Sequence, residues 1–316
     1  MQHTKESFMF RSSFLNWLVI FALTVFIVSC GDDDDGGGNN APDLRDPQEV
    51  WTEDSLAIKN FLENYSFSLQ QNPINSNLQT IAYDSIAGEN SDATPIIESP
   101  LLESINIEQD GVEYEIFLLK IREGAENKRL PKETDSTLVS FRAKTITNEV
   151  FNSSPNPAWF DLANEIRGYR LGLSELKGAS GFTENQDGTV SFNQDFGFAA
   201  VFIPSGLGFF ATPPLGTPLG AYQPLIVDFQ LYKSVESDHD QDLVPTYLED
   251  VDGDGLVRDD DTDGNGQPNY LDVDDDGDGT PTNQEVFIDD NGELQLPDTN
   301  GNGTQDYLDP SFPVTE

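Results

Sequence analysis

Apolar and polar residues alternate in the middle of the chain. The segment 139–144, VSFRAK, places apolar side chains at every second position, which is the pattern of a strand with one buried face. A turn at 147–148 precedes a second apolar stretch that starts at 150–151. The pattern therefore predicts two neighbouring strands joined by a short turn.

A short helix is predicted after these strands. Ile166, Tyr169 and Leu173 recur at helical spacing, so one face of the helix points at the apolar face of the sheet. Two further strands are predicted at 199–203 and 225–232, the second from its alternating apolar residues. The predicted fold class is α+β, with an antiparallel sheet wrapped on a short helix. Four aromatic residues converge between them, and these are Phe141, Phe151, Phe160 and Tyr169.

The region before this unit carries two more elements. Apolar residues at three- and four-residue spacing predict a helix over 51–67, with Thr52 as its N-cap. The stretch 112–121, VEYEIFLLKI, predicts a strand that joins the sheet. The helix is either part of an N-terminal extension or a dimerising or docking element, and its spacing does not choose between these.

An inserted hairpin is predicted over 180–197. Its Asp187-Gly188 pair is a hairpin-turn signal flanked by apolar residues. The four converging aromatic residues are expected to form an apolar pocket, and we expect the hairpin at its rim, either as a flap that grips the substrate or as a plain loop.

Charge and residue counts exclude several classes of function. The chain of 316 residues has 57 acidic against 16 basic side chains, a formal net charge of -41, which argues against nucleic acid and other acidic partners. One cysteine rules out an internal disulfide. His3 and His239 are the only histidines, which argues against a zinc site or a histidine-dependent nucleophile.

The first thirty residues have the layout of a secretory signal. Lys5 and Arg11 precede the apolar run 14–28, and the run ends at Ser29-Cys30. This end resembles a bacterial lipobox, which implies lipidation of Cys30 and attachment to a membrane through acyl chains. The alternative is an uncleaved anchor helix. The segment GDDDDGGGNN that follows is a flexible charged tether, and it also resembles the surface-export signal of Bacteroidetes lipoproteins. We expect an outer-membrane lipoprotein exposed on the cell surface, with the periplasmic face as the alternative.

The acidic tail contains five loops with oxygen-bearing residues at positions one, three, five and twelve. The loops are 238–249, 250–261, 261–272, 274–285 and 298–309, and four of them have glycine at position six, which permits the sharp turn of a calcium loop. The candidate ligands are Asp238, Asp240, Asp242 and Glu249 in the first loop, Asp250, Asp252, Asp254 and Asp261 in the second, Asp261, Asp263, Asn265 and Asp272 in the third, Asp274, Asp276, Asp278 and Glu285 in the fourth, and Asp298, Asn300, Asn302 and Asp309 in the fifth.

The regular spacing predicts structural Ca²⁺ in this tail. His239, at position two of the first loop, is expected to point away from the ion. The series resembles thrombospondin type-3 repeats. The alternative is a disordered acidic tail, because blocks of like charge are usually disordered.

Several blocks between residues 135 and 233 resemble FKBP-type peptidyl-prolyl isomerases. FRA, TNEVFNSS, Phe160, IRGYRLGL, FIPSGLGF and PLIVDFQLY stand in the order of that family's motifs. The resemblance implies an FKBP-like fold and a proline-binding pocket formed by Phe141, Phe151, Asn152, Phe160, Ile166, Tyr169, Phe209 and Val227. Several usual polar residues of the family are replaced here: Phe141 and Phe209 stand in place of tyrosines, and Asn152 in place of aspartate.

The expected activity is cis-trans isomerisation of X-Pro bonds in exported or surface polypeptides. The barrier of about 18 to 20 kcal/mol arises because the amide loses its resonance when it twists, so catalysis needs a dry apolar surface and no nucleophile or cofactor. The alternatives are a catalytically inactive FKBP-like chaperone or binding module, and a structural or adhesive surface protein built on the calcium repeats. The expected parts are a signal at 1–29, a tether at 30–49, an N-terminal extension at 50–125, an FKBP-like domain at 126–236, and the calcium repeats at 237–316.

Overall fold

The computed structural model describes residues 44–71 and 79–312. The predicted signal segment, the lipidation site Cys30 and most of the tether lie outside these residues. The described residues form one compact unit. Among the described residues, none of the helices combines the length and the apolar character needed to cross a bilayer.

The described chain contains two α-helices and twelve strands. They are α1 (Pro47–Asn64), β1 (Tyr65–Gln71), β2 (Gln79–Ser85), β3 (Leu102–Gln109), β4 (Val112–Arg122), β5 (Ser136–Thr145), β6 (Val150–Asp161), α2 (Arg167–Ser174), β7 (Phe182–Glu184), β8 (Val190–Phe192), β9 (Gly197–Ile203), β10 (Leu225–Val235), β11 (Phe287–Ile288) and β12 (Leu294–Gln295). Short 3-10 turns include Ser205–Leu207 after β9, and Thr246–Leu248, Asn269–Leu271, Thr282–Gln284 and Asp306–Leu308 in the tail.

Six strands form one sheet in the order β3-β4-β9-β10-β5-β6. Every pair of neighbours is antiparallel. The central strands are buried on both faces, as all seven residues of β9 and the first eight of β10 show. This architecture confirms the predicted α+β class. The expectation of a single buried face is wrong, because a second layer covers the polar side of the sheet.

The first face of the sheet packs on α2. Val139, Val201 and Phe229 lie in its core together with Tyr169 and Leu173 of the helix. The helix lies close to the sheet because it has glycine where it crosses β9. A Cβ atom at Gly168 would collide with Ile203, and one at Gly172 would collide with Val201.

The second face of the sheet is covered by α1 and by the hairpin of β1 and β2. Ile58, Phe61 and Leu62 of the helix pack in one cluster with Phe117 and Phe202 of the sheet. The segment between residues 51 and 67 thus contributes a helix and the start of a strand, because α1 ends at Asn64 and β1 begins at Tyr65.

The helix α1 begins earlier than its spacing predicted. Asp46 is the N-cap, and its side chain accepts a hydrogen bond from the Glu49 backbone N–H at 2.9 Å. Pro47 occupies the first position, where its fixed φ and missing N–H carry no penalty. The prediction of Thr52 as N-cap is therefore wrong. Thr52 lies within the helix, and its hydroxyl donates to the Gln48 carbonyl at 2.8 Å.

A charged network lies between the hairpin and β5. Arg142 Nη2 is 2.7 Å and Lys144 Nζ is 3.2 Å from Asp228 Oδ2. Tyr83 donates its hydroxyl to Asp228 Oδ1 at 2.9 Å. Both cations also donate to the Ile81 carbonyl. The polar positions of the β5 alternation are thus used to hold the hairpin on the sheet.

The inserted hairpin of β7 and β8 does not lie at the predicted place. Phe192 stacks near Tyr232 with ring centroids 4.7 Å apart, and both residues belong to the core of the second face. The predicted place at the pocket rim is wrong, because Phe192 packs on the face of the sheet opposite α2.

The tail packs against the sheet domain and on itself. Val257 and Tyr270 form a small core with Ala163, which follows β6. A second core joins Val244 of the first loop, Val286 directly after the fourth loop, and Tyr307 of the fifth loop. The tail is therefore held to the rest of the protein by apolar contacts as well as by its polar loops.

Candidate functional site

The buried base of the candidate site is formed by Phe141, Tyr169 and Val227. All three belong to the core between α2 and the sheet. The ring centroids of Phe141 and Tyr169 are 6.5 Å apart, and Tyr169 meets Phe229 edge to face at 5.2 Å. Burial raises the pKa of Tyr169, so its hydroxyl keeps its proton at neutral pH.

Four half-buried residues pack around this base. Phe151, Phe160, Ile166 and Phe209 all contact the same core while keeping part of their surface open. The Phe160 ring centroid is 5.2 Å from that of Phe141. We call these four residues and the three of the base the aromatic cluster. It presents apolar and aromatic surface to solvent, the kind of surface that binds a proline ring.

Asn152 is the one predicted pocket residue that the structure leaves outside the aromatic cluster. It lies on β6 opposite Ala143, and it is exposed. Phe141 and Phe209 have no hydroxyl group. The Tyr169 hydroxyl is therefore the one side-chain hydroxyl that the eight predicted residues contribute.

The loop that carries Phe209 is fixed by a residue from outside the resemblance. Asp54 of α1 accepts hydrogen bonds at its Oδ2 from the backbone N–H and from the hydroxyl of Ser205, each at 2.6 Å. Both residues are buried, and burial raises the pKa of the Asp54 carboxyl. Sequence analysis missed this role, since nothing local indicates that Asp54, which lies 151 residues before Ser205, reaches this loop.

The five acidic loops of the tail share one backbone geometry. In each loop the N–H of position six donates to the carboxylate of position one: Leu243 to Asp238 at 3.3 Å, Gly255 to Asp250 at 3.0 Å, Gly266 to Asp261 at 2.9 Å, Gly279 to Asp274 at 3.2 Å, and Gly303 to Asp298 at 2.9 Å. Position six has positive φ in all five, including φ 86° at Leu243. The first loop is thus folded like the others although it lacks the glycine.

Many carboxylate oxygens of these loops have no hydrogen-bond partner among the described residues. These buried oxygens include both of Asp240, Glu249 and Glu285, and one each of Asp242, Asp250, Asp274, Asp276 and Asp278. Burial, followed by the neighbouring carboxylates, raises the pKa of Glu249 to about 10 and that of Asp240 to about 7. A hard cation with oxygen ligands compensates such a set, so the residues fit Ca²⁺.

The loops differ in how their ligands are arranged. Carboxylates within 4.8 Å of one another occur at Asp238, Asp240 and Asp242 in the first loop, at Asp250, Asp252 and Asp254 in the second, and at Asp274, Asp276 and Asp278 in the fourth. In the third and fifth loops, amides contact the carboxylate of position twelve. Asn265 donates to Asp272 at 2.7 Å, and Asn302 donates to Asp309 at 2.8 Å.

The helix α2 connects the aromatic cluster to the second loop. Arg167 Nη2 donates to the Asp254 carbonyl at 2.5 Å, and Arg170 Nη1 donates to the Gly255 carbonyl at 2.7 Å. Tyr169 lies between these two arginines in the sequence. The tail therefore contacts the same helix that forms part of the base of the cluster.

Comparison with known proteins gives a match to one family model, and the solved structures that resemble this chain include two peptidyl-prolyl isomerase-related proteins with low TM-scores. Residues 239–296 match a family model described as BamM C-terminal. No curated protein matches the chain. The peptidyl-prolyl cis-trans isomerase PPIase from Pseudomonas syringae pv. tomato is 13% identical, with a TM-score of 0.36 over 61% of this chain and 100% of its own. FkpA from Escherichia coli is 18% identical, with a TM-score of 0.32 over 43% of this chain and 53% of its own.

Proposed function

We propose that this protein is an FKBP-type peptidyl-prolyl cis-trans isomerase that acts on X-Pro bonds of exported or surface polypeptides. The observation that carries the proposal is the aromatic cluster. Seven residues in the order of the family's motifs, spread from Phe141 to Val227, belong to or pack against one core. Four of them remain open to solvent.

The cluster is suited to this reaction because isomerisation requires no bond to be broken. A proline ring that packs on Phe160 and Phe209 would be removed from contact with water. The twisted amide has lost its resonance and is less polar than the planar amide, so an apolar surface favours it. A surface that is complementary to the twisted amide lowers the barrier. The hydrogen bonds from Ser205 to Asp54 hold the loop of Phe209 in place, so the surface is formed before the substrate arrives.

A second candidate is an FKBP-like chaperone or binding module without catalysis. It is favoured by the exposed position of Asn152 and by the absence of a hydroxyl on Phe209. A missing donor to the substrate carbonyl would cost about 1 kcal/mol of stabilisation. Turnover of a proline peptide distinguishes the two candidates, because both predict binding.

We further propose that the tail holds structural Ca²⁺. The residues that would hold it are the predicted oxygen ligands at positions one, three, five and twelve of the five loops. The ion supplies charge compensation for buried carboxylates that otherwise repel one another. A structural or adhesive role of the tail at the cell surface is the alternative in which these repeats are the working part.

The proposed location is the cell envelope, with the chain anchored in the outer membrane through a lipid on Cys30. The match of residues 239–296 to a BamM C-terminal model supports an envelope location. Exposure at the cell surface follows from the resemblance of the acidic tether to a surface-export signal, and the periplasmic face is the alternative. Surface labelling of intact cells with a reagent that does not cross membranes distinguishes the two faces.

The proposed activity is tested with the purified protein and a short X-Pro peptide. Binding is measured by isothermal titration and isomerisation by exchange spectroscopy. Binding with catalysed exchange supports the isomerase. Binding without exchange supports the binding module, and neither from a folded protein excludes both.

A further inference from the structure

Three carboxylates from two separate loops meet in the interior of the tail. Asp242 and Glu249 come from the first loop, and Asp275 comes from the fourth. Their exposed fractions are 0%, 0% and 1%. One oxygen of each lies within 4.8 Å of the others. Asp275 stands at position two of its loop, where the loop pattern assigns no ligand.

Each of the three carboxylates has at least one buried oxygen with no hydrogen-bond partner within the part of the chain that the structure describes. This holds for Asp242 Oδ2, for both oxygens of Glu249, and for Asp275 Oδ1. The other Asp275 oxygen accepts a hydrogen bond from the Thr282 hydroxyl at 3.2 Å. Burying three unpartnered like charges together is strongly unfavourable unless an opposite charge joins them.

The spacing fits a single hard cation. Oxygen ligands lie about 2.4 Å from Ca²⁺, so two ligands of one ion are separated by no more than about 5 Å. The group is made of oxygens alone, which favours Ca²⁺ over metals that prefer nitrogen or sulfur. His239, the one histidine among the described residues, is engaged with Thr246 at 2.7 Å and with Asp161 at 3.2 Å.

We propose that Asp275 is a ligand of a Ca²⁺ ion shared by the first and fourth loops, together with Asp242 and Glu249. The proposal rests on the calcium-binding tail proposed above and deepens it, because it names a ligand that the loop spacing does not give. The shared ion cross-links two parts of the tail that lie far apart in sequence. The core that contains Val244 of the first loop and Val286, directly after the fourth loop, also joins these two parts of the tail.

One substitution tests the role of Asp275 without changing any ligand that the loop pattern names. Asp275→Asn keeps every residue at positions one, three, five and twelve and changes a side-chain charge without changing its size. Asp290→Asn is the matched control, because Asp290 is an exposed tail residue outside the five loops. Calcium binding to the purified full-length protein is measured by isothermal titration, and thermal unfolding is measured with Ca²⁺ and with a chelator.

We expect Asp275→Asn to lose one equivalent of bound Ca²⁺ or to weaken one site at least tenfold. Its melting temperature should fall below that of the unmodified protein in Ca²⁺ and should equal or exceed it in chelator, because the variant has one fewer buried repelling charge. If Asp275 had a structural role without binding Ca²⁺, the melting temperature of the variant would be lower than that of the unmodified protein both in Ca²⁺ and in chelator. Asp290→Asn should change neither measurement.

The outcomes separate the two proposals. Unchanged calcium stoichiometry and affinity in Asp275→Asn would overturn the shared site while leaving the loop sites standing. An unmodified protein that binds no Ca²⁺ would overturn both the calcium tail and the shared site. A melting temperature reduced equally in Ca²⁺ and chelator would also overturn the shared site.

Discussion

Arg170 donates a hydrogen bond from its guanidinium to the carbonyl oxygen of Gly255 at 2.7 Å. Arg170 lies in α2 next to Tyr169 of the aromatic cluster, and Gly255 is position six of the second acidic loop. The contact joins the helix of the proposed proline-binding surface directly to the tail. Disorder in the second loop should therefore remove the Arg170–Gly255 hydrogen bond and destabilise α2.

The first prediction concerns this contact. Arg170→Met keeps much of the apolar stem but removes the donor to Gly255. We expect the free energy of unfolding to fall by about 2 kcal/mol, because a buried hydrogen bond from a charged group is lost. The measurement is urea unfolding in Ca²⁺. Lys128→Met, at an exposed position, is the control and should change the free energy of unfolding little. Equal free energies of unfolding for the two variants would contradict a structural role for the hydrogen bond between Arg170 and Gly255.

The second prediction concerns the strained first loop. Leu243 has φ 86°, which costs a side chain with a Cβ atom about 1 kcal/mol. Leu243→Gly should therefore stabilise the protein by up to about 1 kcal/mol. Leu271→Gly is the matched control, since Leu271 is equally exposed at 43% and lies in a 3-10 turn, where glycine should destabilise. A lower melting temperature for Leu243→Gly would show that its side-chain contacts outweigh the strain.

The third prediction is a pH dependence that arises from Lys144. Burial lowers the pKa of this ammonium from its ordinary value of 10.5 to about 8, although Asp228 opposes the shift. Below about pH 8 the group is charged in both the folded and the unfolded state, and its burial costs stability. Between about 8 and 10.5 the folded protein has released the proton while the unfolded chain has not. Unfolding then takes up a proton, so stability rises with pH.

The size of this effect follows from the same shift. Raising the pH from 7 to 9.5 should add about 2 kcal/mol to the free energy of unfolding through Lys144. Lys144→Met should remove this increment, and Lys128→Met should retain it. Chemical unfolding at several pH values checks the difference between the two variants. If the free energies of unfolding of Lys144→Met and Lys128→Met changed with pH in the same way, the lowered pKa of Lys144 would not be the cause of the pH dependence.

The fourth prediction tests the exposed rim of the aromatic cluster. Phe160→Ala should weaken binding of an X-Pro peptide about tenfold, or about 1.4 kcal/mol, because the Phe160 ring would contact the proline. The neighbouring Trp159 is 52% exposed and alternates to the other side of β6. Trp159→Ala should therefore leave binding intact. Equal losses in both variants would indicate general damage to β6.

The spacing of apolar residues along the sequence predicted the strands and the helix that pack in the core between α2 and the sheet. The alternation in β5 and β10 and the helical spacing of Ile166, Tyr169 and Leu173 follow directly from burial between α2 and the sheet. The order of motifs also predicted seven side chains that the structure brings to one core.

Long-range contacts account for what sequence analysis missed. Nothing near Arg142 indicates that the paired strands β1 and β2 cover it, and nothing near Phe192 indicates that it packs on Tyr232. Asp275 occupies a loop position that normally holds no ligand, and only the packing of the fourth loop on the first shows its partners. In each case a side chain is given its role by a segment distant in sequence.

The central claim is that the aromatic cluster catalyses X-Pro isomerisation. The most direct measurement is the exchange rate of a short X-Pro peptide with the purified protein in Ca²⁺, against an uncatalysed time of tens to hundreds of seconds. The account predicts exchange that rises in proportion to protein concentration, that is strongly reduced by Phe160→Ala, and that is unaffected by Trp159→Ala. Exchange at the uncatalysed rate with a folded protein would contradict it.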